Sequence, residues 1–287
     1  MNGCELCPRR CGADRSVGQR GLCGADNTVK IARIAPHFWE EPCISGKNGS
    51  GAIFFSGCTL RCVYCQNARI SRFCAGNEYS VEELADKIDL LTRDGVHNIN
   101  LVTPTHYVAQ IIQALDIARP HVPVVYNTSG YERTETLRML GGRVQIFLPD
   151  YKYSSPALAK RYSNAEDYPQ VAMRAIGEMV RIAGAPRFDS HGIMTGGVIV
   201  RHLVLPSCTH DSMRALRELH TAFGDSIMIS IMSQYTPVSG VPDELSRPVS
   251  QDEYELVLDY ADHLGITLGY RQEGDAVGES FIPDFDV

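Results

Sequence analysis

The chain has 287 residues and a formal net charge of −7, so it carries no overall basic field with which to bind nucleic acid. Its hydrophobic fraction of 44% and charged fraction of 21% are ordinary for a globular chain that buries a core without staples. No run approaches the roughly 18 apolar residues of a membrane span, and the opening "MNGCELCPRR" lacks the apolar stretch of a secretory leader, so a cytoplasmic protein with neither membrane nor nucleic acid as partner is expected.

Residues 1–50 come first and differ from the rest. They are rich in Cys, Gly and Arg, lack helical periodicity, and hold one plausible strand, "VKIARI" (29–34). Cys4, Cys7, Cys11 and Cys23 are spaced Cys-x2-Cys-x3-Cys-x11-Cys. In a reducing compartment such cysteines read as metal ligands or redox groups before disulfides. Four thiolates suffice for a closed tetrahedral zinc or single-iron site, or for a fully ligated iron–sulfur cluster. A small Cys-rich, metal-binding N-terminal extension is expected, with a structural mononuclear site preferred to an electron-relay cluster.

From about residue 51 short apolar strands alternate with amphipathic helices. "AIFFSG" (52–57) is the first strand, and "SVEELADKIDLLTRDG" (80–95) is a helix opened by a capping box of Ser80 and Glu83. Strand "NINLVT" (98–103) precedes helix 107–119, strand "VPVVYNTS" (122–129) precedes helix 132–140, and strand "RVQIFLPD" (143–150) leads into helices over 155–163 and 167–183. Strand "GVIVRHLVLP" (197–206), helix 211–223 and strand "SIMISIMS" (226–233) complete the pattern. Strands apolar at nearly every position, separated by helices, imply a parallel sheet covered by helices. The fold class is therefore α/β, a partial (β/α)6 barrel over residues 51–240. Residues 241–287 follow as a helix (250–265), a short strand (267–272) and a tail, "DAVGESFIPDFDV", expected to lie over the surface.

In such sheets chemistry gathers at the C-terminal strand ends, and the unusual residues of this chain fall there. "GCTLRCVYCQN" (57–67) follows the first strand and places Cys58, Cys62 and Cys65 within eight residues. Three thiolates from one loop can bind three irons of a [4Fe–4S] cube and leave the fourth open to an exogenous chelator. The alternative is a three-thiolate zinc site completed by a His or by Cys74. "VTPTHY" follows the second strand with Thr103, Thr105 and His106, and Asn127 and Ser129 follow the third. Asp150 and Lys152, two apart at a strand end, point to one side. Arg201 lies inside an apolar strand and needs an anionic partner, expected in the barrel mouth. Its neighbour His202 points the other way as a core histidine. Gln234 and Tyr235 are further mouth candidates. Cys43, Cys74 and Cys208 read as small buried hydrophobes, although the helix following Cys208 could lower its pKa.

Cys-x3-Cys-x-aromatic-Cys just after the first strand resembles the signature of radical S-adenosylmethionine enzymes. The wider string "AIFFSGCTLRCVYCQN", with "EEPCISGKNGSG" upstream, resembles the glycyl-radical-enzyme activating branch, the pyruvate formate-lyase activating enzymes, over roughly residues 40–235. The resemblance implies that Cys58, Cys62 and Cys65 ligate a [4Fe–4S] cluster whose open iron chelates S-adenosylmethionine. Reductive cleavage would then give a 5′-deoxyadenosyl radical that abstracts hydrogen, with the backbone glycine of a glycyl-radical enzyme, or another protein, as substrate. A low-potential donor, flavodoxin or ferredoxin, is implied as well. Tyr64 matches the aromatic that packs on adenine, its other reading being core packing. Where the family has Gly-Gly-Glu-Pro this chain has "VTPTHY", leaving Thr103 and Thr105 for the methionyl amine. Where the family has Asp-Thr-Asn-Gly it has Asn127-Thr128-Ser129-Gly130, with Asn127 and Ser129 for the ribose. Asp150 and Lys152 match an Asp-Leu-Lys segment and stand, with Arg201, near the cofactor carboxylate. Lys152 and Arg201 are the catalytic candidates. Rival readings are a radical enzyme acting on a small molecule or peptide, and a non-catalytic iron–sulfur or zinc carrier or scaffold.

Overall fold

The structure, a computed structural model, describes residues 3–272 and Phe285. The first elements are β1 (Val29–His37), the short helix α1 (Pro42–Ser45), β2 (Ser50–Phe55), the short helix α2 (Ala68–Ser71) and β3 (Asn77–Tyr79). Then come α3 (Val81–Arg93), β4 (Ile99–Val102), α4 (Val108–Ala118), β5 (Val124–Thr128), α5 (Thr134–Arg138) and β6 (Ile146–Pro149). The chain continues through α6 (Pro156–Ser163), α7 (Tyr168–Ala183), β7 (Arg187–Phe188), β8 (Met194–Leu203) and α8 (Thr209–Phe223). It ends with β9 (Met228–Met232), α9 (Gln251–His263) and β10 (Gly269–Arg271).

Strand order is β10-β9-β8-β6-β5-β4-β2-β1-β3, with β7 paired to β8 off this path. Strands β2, β4, β5, β6, β8, β9 and β10 are parallel, so their C-terminal ends share one side of the sheet. All six residues of β2 are buried, as a strand covered on both faces requires. The capping box of Ser80 and Glu83 forms as expected, and a second one, Ser250 with Glu253, opens α9.

One carboxylate shows how far the sheet curves. Glu40 Oε1 accepts from Asn100 Nδ2 of β4 at 2.7 Å, while Glu40 Oε2 pairs with Arg201 of β8. In a flat sheet those strands would lie three spacings apart, about 14 Å. The sheet wraps around the Glu40 side chain, consistent with a partial barrel.

The parallel strand count exceeds the six expected, because β10 adds to the sheet beside β9. Strand β1, from the segment expected to be an extension, joins the sheet antiparallel to β2. Helices α1 and α2, of four residues each, are too short to carry a 3.6-residue period. The expectation for the tail falls outside the described residues, except that the Phe285 ring lies edge-on to Phe54, centroids 5.8 Å apart.

Candidate active site

The loop after β2 starts at Gly57, whose φ of +93° belongs to the left-handed region. A Cβ there would also stand 2.7 Å from the Cys23 carbonyl, so only glycine lets the chain turn at this point. Beyond it Cys58, Cys62 and Cys65 border a cavity of about 210 Å³, with Thr103, Asn127 and Lys152 across from them. Each sulfur accepts one hydrogen bond: from Leu60 N at 3.4 Å, from Ser163 Oγ at 3.0 Å and from Ser71 Oγ at 3.2 Å respectively. Arg72 donates to the Cys62 carbonyl and pins the loop from behind.

Burial pushes the Cys58 thiol up to about 12, with Cys62 adding to the effect. Burial also raises Cys62, against the pull of Lys152 and Ser163. Desolvated thiols of this kind ionise on meeting a metal, whose charge replaces that of water. Hydrogen bonds to cluster sulfurs set reduction potentials. Ser163→Ala is therefore expected to shift the midpoint potential of the bound cluster negative, on the order of tens of mV, in an EPR-monitored redox titration.

A second cavity, of about 430 Å³, adjoins the first and shares Gln66, Asn67, Thr103, Asn127 and Asp150 with it. Most of the expected site residues converge here. Thr103 follows β4 at φ +58° and donates its N–H to the Asn127 carbonyl at 2.8 Å. Lys152 Nζ donates to Asp150 Oδ2 at 2.6 Å. Burial works against the Lys152 charge, but Asp150 overcomes it and raises the pKa. Ser129 borders the first cavity, and its carbonyl accepts from Tyr168. Tyr64 borders it too, yet its ring sits edge-on among Tyr153, Tyr162 and Tyr235, and its hydroxyl accepts from Tyr153 at 2.8 Å. Gln234 borders the larger cavity and Tyr235 the smaller.

Other expectations change. Thr105 is buried and donates to Glu132 at 2.5 Å, so its hydroxyl faces away from both cavities. His106 is no mouth residue: it is buried against the Ser56 carbonyl, 2.8 Å from Nε2. Arg201 does meet anions, but they are protein carboxylates. Its guanidinium spans Glu41 at 2.8 and 2.5 Å and also binds Glu40. Burial opposes the Arg201 charge, and Glu40 and Glu41 hold its pKa well above normal. His202 is the core histidine expected, with Nδ1 2.7 Å from the Tyr151 carbonyl. Cys208 goes the other way from the helix-dipole expectation, since burial pushes its thiol up to about 11. Cys43 is buried as expected, whereas Cys74 is half-exposed, its sulfur 3.7 Å from the Cys23 carbonyl.

Sequence reasoning did not single out Glu40, Glu41, Gln66 or Asn67. The signals were present in "EEP" and in "CQN", but carboxylates before a proline and amides after a cysteine carry no periodicity that marks them as inward-facing.

The N-terminal cysteines lie in one region of the fold, the Cys11 and Cys23 sulfurs both beside Gly21. Burial raises the Cys7 thiol to about 12, with Cys23 and Cys4 adding, and burial raises Cys23, with Cys4 and Cys11 adding. Among the described residues, no three Cys, His, Asp or Glu side chains stand ready to hold a single metal ion, and this applies equally to Cys58, Cys62 and Cys65.

The sequence model of the Radical SAM superfamily matches residues 52–197, just over half of the chain. The chain belongs to the radical SAM superfamily. An uncharacterized protein of Methanocaldococcus jannaschii, MJ0674, is 27% identical over 282 residues, covering 94% of this chain and 77% of the relative. Among solved structures, Streptococcus suis SuiB bound to S-adenosylmethionine has a TM-score of 0.53 at 11% identity, over 79% of this chain and 50% of SuiB. SuiB bound to its precursor peptide SuiA also has a TM-score of 0.53, at 13% identity, over 76% and 46% of the two chains. This radical SAM chain thus spans about half the length of the SuiB chains, and at these identities the likeness is one of fold. Membership implies a [4Fe–4S] cluster and S-adenosylmethionine. The donor set fits that cluster: three sulfurs on one loop, each already hydrogen-bonded, beside a cavity that Asn127, Asp150 and Lys152 also border. Among the described residues no helix is long and apolar enough to cross a membrane.

Proposed function

We propose that this protein abstracts a hydrogen atom from the backbone glycine of a glycyl-radical enzyme, as pyruvate formate-lyase activating enzymes do. In this reading flavodoxin or ferredoxin supplies the electron, the reaction runs in the cytoplasm, and Cys4, Cys7, Cys11 and Cys23 carry a second metal. The observation that carries it is the convergence of Cys58, Cys62 and Cys65 with Asn127, Asp150 and Lys152 on one cavity. When bound, the cluster supplies the electron that cleaves S-adenosylmethionine to methionine and a 5′-deoxyadenosyl radical. The chain's own residues bind and orient. Lys152, held charged by Asp150, presents a cation to the methionyl carboxylate. Thr103, Asn127 and Ser129 offer backbone and side-chain groups to the amine and ribose, in place of the acids that the activating enzymes use. Arg201 holds Glu40 and Glu41 beneath the larger cavity.

That cavity favours a second reading. Its lining of Trp39, His37, Gln66, Gln234 and Gln272 suits a small polar molecule or a peptide end as the hydrogen donor.

The test is anaerobic reconstitution, reduction with dithionite, and chromatography for 5′-deoxyadenosine and methionine. Wild type should form both, and Cys62→Ala should fall at least 100-fold. Wild-type cleavage with no glycyl-radical doublet by EPR, on mixing with candidate enzymes, would favour the small-molecule reading. An intact, reducible cluster that never cleaves the cofactor would leave a carrier or scaffold.

A further inference from the structure

Two carboxylates beneath the larger cavity share one guanidinium. Arg201 donates Nε to Glu41 Oε1 at 2.8 Å, and its Nη2 reaches both Glu41 Oε2 and Glu40 Oε2. Glu40 gives its other oxygen to the Asn100 side-chain amide, at 2.7 Å. Both Glu40 oxygens therefore accept from N–H donors, which is how an ionised carboxylate bonds. Arg201 likewise holds Glu41 ionised. Glu40, Glu41 and Arg201 together carry one uncompensated negative charge.

The cavity wall has no cation to spare for it. Among the described residues, the other basic side chains that border the cavity are Arg271 and His37. Arg271 is held by Asp262 at 3.0 Å, and burial lowers the His37 pKa, so its ring is uncharged at neutral pH. Asp150, also on the wall, is balanced by Lys152 at 2.6 Å. A buried charge without a partner is costly, so the counter-ion has to come from what the cavity binds.

Orphaned polar atoms ask for the same thing. Asn67 borders the cavity, and its Oδ1 is buried with no hydrogen-bond partner. Asn100 is wholly buried and shares its face of β4 with Val102, another residue of the wall. Its Oδ1 is unpartnered too, and amide geometry keeps that atom within about 5 Å of Glu40 Oε1. Both atoms are carbonyl oxygens, so the missing partner is a hydrogen-bond donor.

A primary ammonium is both a unit cation and a triple donor. Each Glu40 oxygen is already engaged, which favours a compact point charge over the bidentate fork of a guanidinium. Trp39, Phe54 and Tyr270 border the same cavity, and aromatic faces attract cations. Its volume of about 430 Å³ is that of a small-molecule site. Glu40 and Glu41 border this cavity and not the smaller one beside the cysteines, where the cofactor belongs.

We infer that the substrate is a small molecule bearing a primary ammonium, which seats on Glu40 in the larger cavity. The inference rests on the small-molecule reading given above and concerns binding, in which no covalent bond forms or breaks.

Trp39 is the chain's only tryptophan, so its emission reports on this cavity. The test titrates the reconstituted, unreduced chain, loaded with S-adenosylmethionine, with n-pentylamine, 1-pentanol and pentanoate. Pentylamine should saturate the signal and bind at least about 10-fold more tightly than either isostere, as a charge-assisted hydrogen bond provides. Glu40→Gln leaves Glu41 and Arg201 as a balanced pair, so it should keep the wild-type urea midpoint and lose the preference. The three probes on wild type are decisive whether or not that variant folds. Equal binding of all three, no saturable response to pentylamine, or a preference that survives in folded Glu40→Gln would overturn the inference. Displacement of labelled S-adenosylmethionine by pentylamine in equilibrium dialysis would overturn it too, because the carboxylates would then serve the cofactor's own amine. Pentylamine preference in a chain that never cleaves the cofactor would refute the radical proposal alone, and cleavage without that preference would refute this one alone.

Discussion

Arg201→Met should destabilise the protein by about 3–5 kcal/mol, the range found when one partner of a buried ion pair is removed. The loss comes less from the missing attraction than from the carboxylates left behind. Glu40 and Glu41 are both largely shielded from water, with side chains 7% and 5% exposed. Burial by itself raises the Glu41 pKa, and Arg201 more than reverses this, so Glu41 is ionised in the native fold. Without the guanidinium Glu41 would take up a proton, and the deficit should shrink as the pH falls through the carboxylate range. The triple variant Glu40→Gln/Glu41→Gln/Arg201→Met strands no charge and should recover most of the loss, measured as the urea midpoint at fixed metal loading. It also separates two roles for Arg201. As a brace beneath the cavity, Arg201 can be lost in the triple variant with S-adenosylmethionine binding retained. As a ligand of the cofactor carboxylate, it cannot.

The second large effect is a pH dependence centred on Glu132. Its carboxyl is buried, and burial raises its pKa to about 7, against the hydrogen bonds of Thr105 and Thr128. Oε1 accepts from Thr105 and Thr128, while Oε2 and the nearby Tyr126 hydroxyl have no partner among the described residues. A proton on Oε2 would supply the missing donor. Because the folded pKa lies above the unfolded value, the contribution is fully present below pH about 4.5 and is lost as the pH rises through about 7. Glu132→Gln keeps the shape and removes the titration. Its stability relative to wild type should improve by about 3 kcal/mol between pH 4.5 and pH 8, since each tenfold difference in proton affinity between the folded and unfolded chain is worth about 1.4 kcal/mol. Denaturation at the two pH values measures this, and a difference independent of pH would refute it. The Thr105 hydroxyl donates its proton into this network.

Much of the architecture was legible because it rests on local signals. The parallel strands over 51–240 show as short apolar runs, since a strand covered on both faces must be apolar throughout. Helix α3 announces itself through Ser80 and Glu83, and the cysteine loop through a spacing few other chemistries need. Asp150 and Lys152 were legible together because alternate residues at a strand end share a side.

Other features were not legible where a residue's partner comes from far along the chain. A buried arginine in β8 demanded an anion, but 160 residues separate Arg201 from Glu41, and only the curvature of the sheet brings Glu40 and Glu41 across to it. The same applies to Thr105, which faced two possible environments until α5 and its preceding turn placed Glu132 beside it. The Cys208 thiol sits at a helix start, where the dipole favours ionisation, but burial outweighs that dipole and raises its pKa.

Read alone, the amino-acid order establishes which chemistry the chain can attempt, because thiolate spacing, strand periodicity and capping boxes act over a few residues. Tertiary structure decides which polar groups are left free to perform it. Hydrogen bonds and ion pairs saturate, and whether Arg201 or Thr105 has capacity to spare depends on neighbours that only the folded, curved sheet supplies.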